Sequence, residues 1–213
     1  MSYLTNNGPT DLSAPIISFF QEHITIKEDA FLFSFRNAKR YITETEHWHL
    51  DKHLVPSSTG TWLVNTGFPA QIRHLFLSHS AADILCFCQH RPDWLKVSDN
   101  IAFAALGLTA SSTQINLLKD RFVNAKIHTL FDAGITGRVT DCKVALWIKG
   151  KDASFKVDRE QLAVYYNKNE IKIPIEAFSL NRFEKMVALR SGIRTHKPKG
   201  TFGSYYDLFT GAK

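Results

Sequence analysis

From residue 72 onward, short apolar runs alternate with stretches of helical length, and this alternation limits the fold more than any other feature of the chain. "IRHLFLSHS" holds a compact apolar strand over residues 72–77, followed by "SAADILCFCQHRP", a helix stopped by Pro92. "NIAFAALG", residues 100–107, is a second buried strand. "SSTQINLLKDRF" is a helix capped by Ser111 or Ser112, with Ile115, Leu118 and Phe122 at helical spacing. "AKIHTLFD" makes a third strand and "RVTDCKVALWIKG" a third helix. Strands alternating with helices of this length imply an α/β fold with a mainly parallel sheet, flanked by helices and joined by right-handed crossovers.

The flanks read differently. "SAPIISFFQEHI" is a short amphipathic helix with Pro15 in its first turn. "AFLFSFRN" places Phe31, Phe33 and Phe35 on one side of a strand, and "KRYITETEHWHLDKHLV" alternates in part, with Tyr41, Thr43 and Thr45 on one face. Trp62, after the "PSSTG" loop, is expected in the core. Residues 1–70 are therefore expected to form a small N-terminal α+β extension, and 71–213 the α/β domain with a C-terminal hairpin and helix. In that tail "QLAVYY" and "IKIPI" flank "NKNE", and Pro174 makes the second strand an edge. "SLNRFEKMVALRSG" reads as a helix with a Ser179 cap, apolar Met186 and Val187, and Gly192 as its stop.

With 44% hydrophobic and 22% charged residues the composition is globular, and no apolar run reaches the ~18 residues of a membrane span, so no membrane association is expected. The polar start "MSYLTNNGPTDLSAP" lacks the basic flank and apolar run of a secretory leader. A net charge of +6 permits contact with a polyanion without requiring it. Cys86 and Cys88 lie two apart on a helix, on different faces, and with Cys142 make an odd count. That favours buried, reduced thiols and a cytoplasmic location.

The stretch "LFDAGITG" poses the functional question. Asp132 falls where a strand of the parallel sheet ends, the place where α/β proteins hold ligands. Taken with "TGTWLVNTG", "LFLSHSAADIL", "NIAFAALG" and "HKPKGTFGSYYDLF", it resembles the Toprim fold, most closely the primase-like Toprim proteins of bacterial mobile elements, over about residues 60–213. The resemblance implies Mg²⁺-dependent phosphoryl chemistry. It rests on a glutamate after the first strand and an Asp-x-Asp pair after the third, hard oxygen ligands for a hard cation. Where that glutamate belongs, "HSAADIL" has His79 and keeps Ser80, Ala81, Asp83 and Leu85. "FDAGITG" keeps Phe131, Asp132 and Gly137 but has Gly134 for the second aspartate. "GSYYD" places Ser204 and Tyr205 where relatives carry aspartate and tryptophan, and keeps Asp207.

The resemblance thus implies a degenerate site of His79, Asp83, Asp132, Gly134 and Ser204, with no catalytic residue assigned. No cofactor is expected, because the family's Mg²⁺ has lost its ligands and only Asp132 remains as a candidate. The function it implies is a catalytically degenerate module tied to the DNA metabolism of a mobile element. Its partners would be nucleic acid, single-stranded or primer-like, or a protein of a replication or mobile-element complex. Arg138, Arg194, Lys197, Lys199 and Tyr205 are the candidate nucleic-acid contacts, cations for phosphate and an aromatic for stacking. Two other readings stay open. One is an enzyme with altered, non-Mg chemistry built on a His79/Asp132 acid–base pair, with Ser78, Ser80 and His128 as contributors. The other is a phosphoryl-transfer or nuclease Toprim with relocated carboxylates such as Asp141 or Asp207. If strand geometry ran from His128 to Asp132, the two would share a face roughly 13 Å apart. Finally, "HWHLDKH" would put His47, His49, Asp51 and His53 on one face of a continuous strand, a chelating spacing or a solvated polar face interleaved with buried Trp48 and Leu50.

Overall fold

The computed structural model describes residues 7–211, so the first six residues of the polar lead-in lie outside it. Helix α1 (Ala14–Phe20) carries Pro15 in its first turn and buries Ile16 and Phe20. Four strands follow as an antiparallel sheet: β1 (Thr25–Lys27), β2 (Ala30–Arg36), β3 (Ile42–Trp48) and β4 (His53–Leu54). The alternating Phe31, Phe33 and Phe35 of β2 all face the core, as the period-two pattern requires. The histidine-rich run is not one strand. β3 ends at Trp48, the chain turns as the His49 amide donates to the Lys52 carbonyl at 2.8 Å, and Leu50 points into solvent. His47, His49, Asp51 and His53 therefore do not share a face.

A five-stranded sheet forms the centre, built from β5 (Trp62–Asn65), β6 (His74–Ser78), β7 (Ile101–Ala105), β8 (Lys126–Thr129) and β12 (Arg194–Thr195) in the order β12-β8-β6-β7-β5. β6, β7, β8 and β12 run parallel, and β5 pairs with β7 antiparallel. This is a mixed sheet flanked by helices. Successive residues of β6 serve opposite layers. Phe76 packs toward helix α2 (Ala81–His90) and the N-terminal sheet. Leu75 and Leu77 pack toward α3 (Ser112–Arg121) and α4 (Ile135–Trp147). Both faces being covered explains why these strands read as continuous apolar runs. α3 starts in a capping box in which the Ser111 hydroxyl accepts from the Gln114 amide and Gln114 returns a contact to the Ser111 amide.

A third layer follows α4: an antiparallel sheet of β9 (Ser154–Asp158), β10 (Gln161–Tyr166) and β11 (Asn169–Pro174), then α5 (Leu180–Met186). β11, with Pro174, is an edge strand as expected. β9 has no counterpart among the sequence expectations, and α5 is shorter than expected: Ala188 takes φ 50° just past its end. The chain then returns across the central sheet as β12 and closes with α6 (Tyr205–Thr210), packed on α2.

α4 begins at Ile135, so Gly137 lies inside the helix rather than in a turn before it. A Cβ on Gly137 would stand 2.1 Å from the Asp132 carbonyl oxygen and 2.6 Å from its amide nitrogen, so only glycine fits. Gly137→Ala is expected to cost about 1–3 kcal/mol by overpacking, read as a drop of several degrees in Tm. An unchanged Tm would refute the close approach.

Candidate functional site

The carboxyl ends of β6, β7 and β8 lead into the loops that carry the sequence-predicted residues. At the end of β6, Ser80 caps α2, its hydroxyl accepting from the Asp83 amide at 3.1 Å. The same hydroxyl donates at 2.7 Å to Glu46, a fully buried carboxylate from β3. Glu46 also accepts from the amides of Ala81 at 2.8 Å and Ala82 at 3.1 Å, and from His53 Nε2 at 2.8 Å. Helix N–H groups and their dipole hold this anion, so Glu46 is an anchor with its lone pairs committed. Sequence reasoning missed it. The available signal was its position two residues before buried Trp48, on the same strand face.

His79 is buried with its ring against Phe131, centroids 4.5 Å apart. Its Nδ1 lies 2.9 Å from the Gly107 carbonyl oxygen. A carbonyl only accepts, so Nδ1 carries the proton and Nε2 is left as a bare acceptor without a partner among the described residues. Burial lowers the pKa of this ring and keeps it neutral.

Asp83, also buried, accepts from the Ser78 hydroxyl at 3.1 Å and from the Tyr206 amide at 2.8 Å, tying α2 to the start of α6. Burial pushes its carboxyl up to about 7. Ser204 is the α6 N-cap, accepting from the Asp207 amide at 3.0 Å. Asp132 is exposed, and its charge reaches both His79 and Asp83, which places the three around one sheet edge. Gly134 is the N-cap of α4, and a Cβ there meets nothing within 4 Å. β8 ends at Thr129, so strand geometry does not extend to Asp132. His128 instead points into the sheet face that packs on Phe76.

The centre of this edge is Lys197. Its ammonium donates to the carbonyls of Phe131 at 2.6 Å and Asp132 at 2.9 Å, and pairs with Asp141 Oδ2 at 2.8 Å. Asp141, on α4, is buried; desolvation raises its pKa and Lys197 opposes that rise. Three oxygens thus surround one built-in cation. Mg²⁺ is held by one or two carboxylates free to meet it, with waters or phosphates completing its shell. Here Asp132 has no second acid two residues on, where Gly134 stands, and the carbonyls and Asp141 already face Lys197. Among the described residues no group of three or more His, Cys, Asp or Glu side chains is placed to hold a metal, and the residues present do not fit Mg²⁺.

The candidate nucleic-acid contacts divide. Arg138 donates to the carbonyls of Ile175 at 3.0 Å and Phe178 at 2.9 Å, clamping α4 to the third layer. Tyr205 is buried and its hydroxyl donates to the Lys197 carbonyl at 3.1 Å. Arg194 and Lys199 are exposed. Cys86, Cys88 and Cys142 are buried free thiols, as expected. No helix among the described residues is long and apolar enough to cross a membrane.

No protein-family profile matches this chain, and no curated protein matches it. Among solved structures it is similar to the primase fragment of the bacteriophage T7 primase-helicase protein. Identity is 13% and the TM-score 0.43, over 69% of this chain and 64% of that one. The chain thus spans under two thirds of that fragment, and at this distance function has to be read from the site itself.

Two outcomes check the site. Because the Asp83 carboxyl is raised in the fold from an ordinary value of 3.8 to about 7, its burial costs stability as pH rises from about 4 to 7. Asp83→Asn should match wild type at pH 4 and exceed it at pH 8 by on the order of a few kcal/mol in denaturant unfolding. Equal pH dependence in the two proteins would contradict the assignment. Glu46→Ala orphans the buried donors around it and should cost about 3–5 kcal/mol in the same measurement.

Proposed function

We propose that this chain is a catalytically silent Toprim-like module that contacts nucleic acid. In this reading residues 1–70 are an α+β extension and 71–213 the Toprim-like domain, with β5 carrying the extension into the central sheet. The observation that carries the proposal is the Lys197 ammonium, seated among the Phe131 and Asp132 carbonyls and Asp141 at the sheet edge where the resemblance places Mg²⁺. A tethered cation neutralises that acidic edge without supplying a Lewis acid that can be vacated for phosphate. The neutral His79 ring at the glutamate position and Gly134 at the second aspartate support the same reading. A partner in DNA metabolism, nucleic acid or a replication or mobile-element protein, belongs to this proposal. Of the candidate contacts, Arg194 and Lys199, exposed and flanking Lys197 in the chain, are the cations left to meet phosphate.

The test has two arms. Millimolar Mg²⁺ or Mn²⁺ should leave the Tm of the wild-type protein unchanged and support no cleavage of single-stranded or duplex oligonucleotides. Divalent-dependent cleavage abolished by Asp132→Asn would overturn catalytic silence. A labelled single-stranded oligonucleotide should bind with an affinity that falls with salt, and Arg194→Ala with Lys199→Ala should reduce the log–log salt slope by about 1.4. No binding at low salt would remove nucleic acid as the partner and leave a protein.

A further inference from the structure

Three histidines far apart in sequence meet in the face of the central sheet. His74 opens β6, His128 lies in β8, and His196 follows β12. His74 Nδ1 is 3.0 Å from His128 Nε2, and His128 Nδ1 is 2.8 Å from His196 Nε2. The rings of His128 and His196 are stacked, centroids 5.1 Å apart, and Phe76 stacks on His128 at 4.4 Å. Trp94 closes the group, edge-on to His74 at 5.1 Å and to His128 at 5.4 Å.

This is not a metal site. Nitrogens that face one another in pairs cannot also converge on a common centre. Nor is it ordinary packing, because each contact between rings needs one protonated and one bare nitrogen. His128 is fully buried between two partners and uses both its nitrogens, so the chain is intact only when one proton is shared across each gap. A proton added to His128 still leaves one in each gap, so the bonds themselves survive it; what opposes it is the charge, placed on a fully buried ring that only cations reach.

We propose that the His74–His128–His196 chain is a proton-operated latch that holds the segment of residues 193–197 on the central sheet. From Gly203 onward the chain is fixed independently, the Gly203 carbonyl accepting from the Ala133 amide at 2.7 Å and the Tyr206 amide donating to Asp83 at 2.8 Å, whereas residues 193–197 are held by fewer bonds. β12 contributes two paired residues, the His196 amide donates to the Thr129 carbonyl at 2.8 Å, and Lys197 follows directly into its oxygen cage. Loss of the His128–His196 bond therefore acts on the residue that precedes Lys197. The charged groups whose fields reach the chain are Lys126 on β8, Arg194 on β12 and Arg91 at the end of α2, all cations. Phe76, Phe87 and Trp94 supply the remaining walls and no compensating charge.

Burial and these cations lower the pKa of all three rings, His128 to about 3 from an ordinary 6.5. A ring that is harder to protonate when latched than when released holds the latch fully above pH 6.5 and loses it progressively as pH falls from there toward 3. The latched-to-released ratio should drop up to about tenfold per pH unit in that window from His128 alone. Asp83 gains a proton over part of the same range, but its protonation favours the fold, so it opposes the effect.

Hydrogen exchange of the whole chain, corrected for the intrinsic pH dependence and followed from pH 7.5 to 4.5, tests the latch. Amides of residues 193–197 should lose protection by up to about a hundredfold between pH 6.5 and 4.5, while those of β7 keep theirs. In His128→Phe, which fills the same aromatic stack without a titrating nitrogen, that pH dependence should become markedly shallower, leaving only what His74 and His196 contribute. His196→Gln, which keeps a neutral acceptor for His128, should flatten it in part and serves if the first variant is unstable. Protection that falls equally in β7 and in residues 193–197, or a pH profile unchanged in both variants, would overturn the proposal. Neither result bears on catalytic silence, which the cleavage assay decides.

Discussion

The buried carboxylate of Glu46 is the contact on which the relation between the parts of this protein rests. Four donors, from His53, Ser80, Ala81 and Ala82, converge on it. Two of them are the opening amides of α2, which a helix cannot satisfy internally. The N-terminal sheet thereby supplies what the first helix of the central layer lacks. His53 in turn stacks on Tyr206 at 4.4 Å, and the Tyr206 amide returns to Asp83 on α2. One anion thus organises a route from β3 through α2 to α6, and the aromatic core of Phe33, Trp48, Trp62, Phe76 and Phe103 fills in around it.

The same economy of charge governs the sheet edge. A parallel α/β sheet gathers polar groups at the carboxyl ends of its strands, and an edge rich in carbonyls and acids needs positive charge nearby. Here that charge is covalently attached to the chain at Lys197. A fixed ammonium suits a structural role: it has three directed donors and cannot dissociate. Several residues around it have a local structural use. Ser80 and Ser204 cap helices, Asp83 receives an amide from α6, and Gly137 admits the Asp132 backbone.

The central strands were legible because burial on both faces leaves an unbroken apolar run, as in "LFLS" and "IAFAA". α3 was legible because Ser111 and Gln114 stand at capping-box spacing. Other elements carried no such mark. β9 is half polar and mostly exposed, so it matches no buried pattern. The beginning of α4 looked like a turn because Gly137 is there for close approach and not for flexibility. The end of the β3 strand was overrun because histidines alternate past it without burial behind them. The candidate site was read residue by residue from local motifs, which located His79, Asp83 and Asp132 along the edge but not what each one bonds. Lys197 drew notice as a surface cation, since no local pattern announces an ammonium that turns inward. The histidine chain was beyond reach for a plainer reason: only the topology brings residues 74, 128 and 196 together.

The late arrival of β12 also matters for how the chain is made. β8 is complete by residue 129, yet its outer neighbour is supplied by residues 194 and 195. During synthesis the sheet therefore stands for more than sixty residues of elongation with an open parallel edge, the kind of surface on which other chains can add strands (interval from residues 129 and 194). The intervening β9–β11 layer forms a separate sheet and does not cover that edge by strand pairing. The short strand near the C-terminus is, in this light, a closing seam, and truncations that remove it would trade a finished domain for a sticky one.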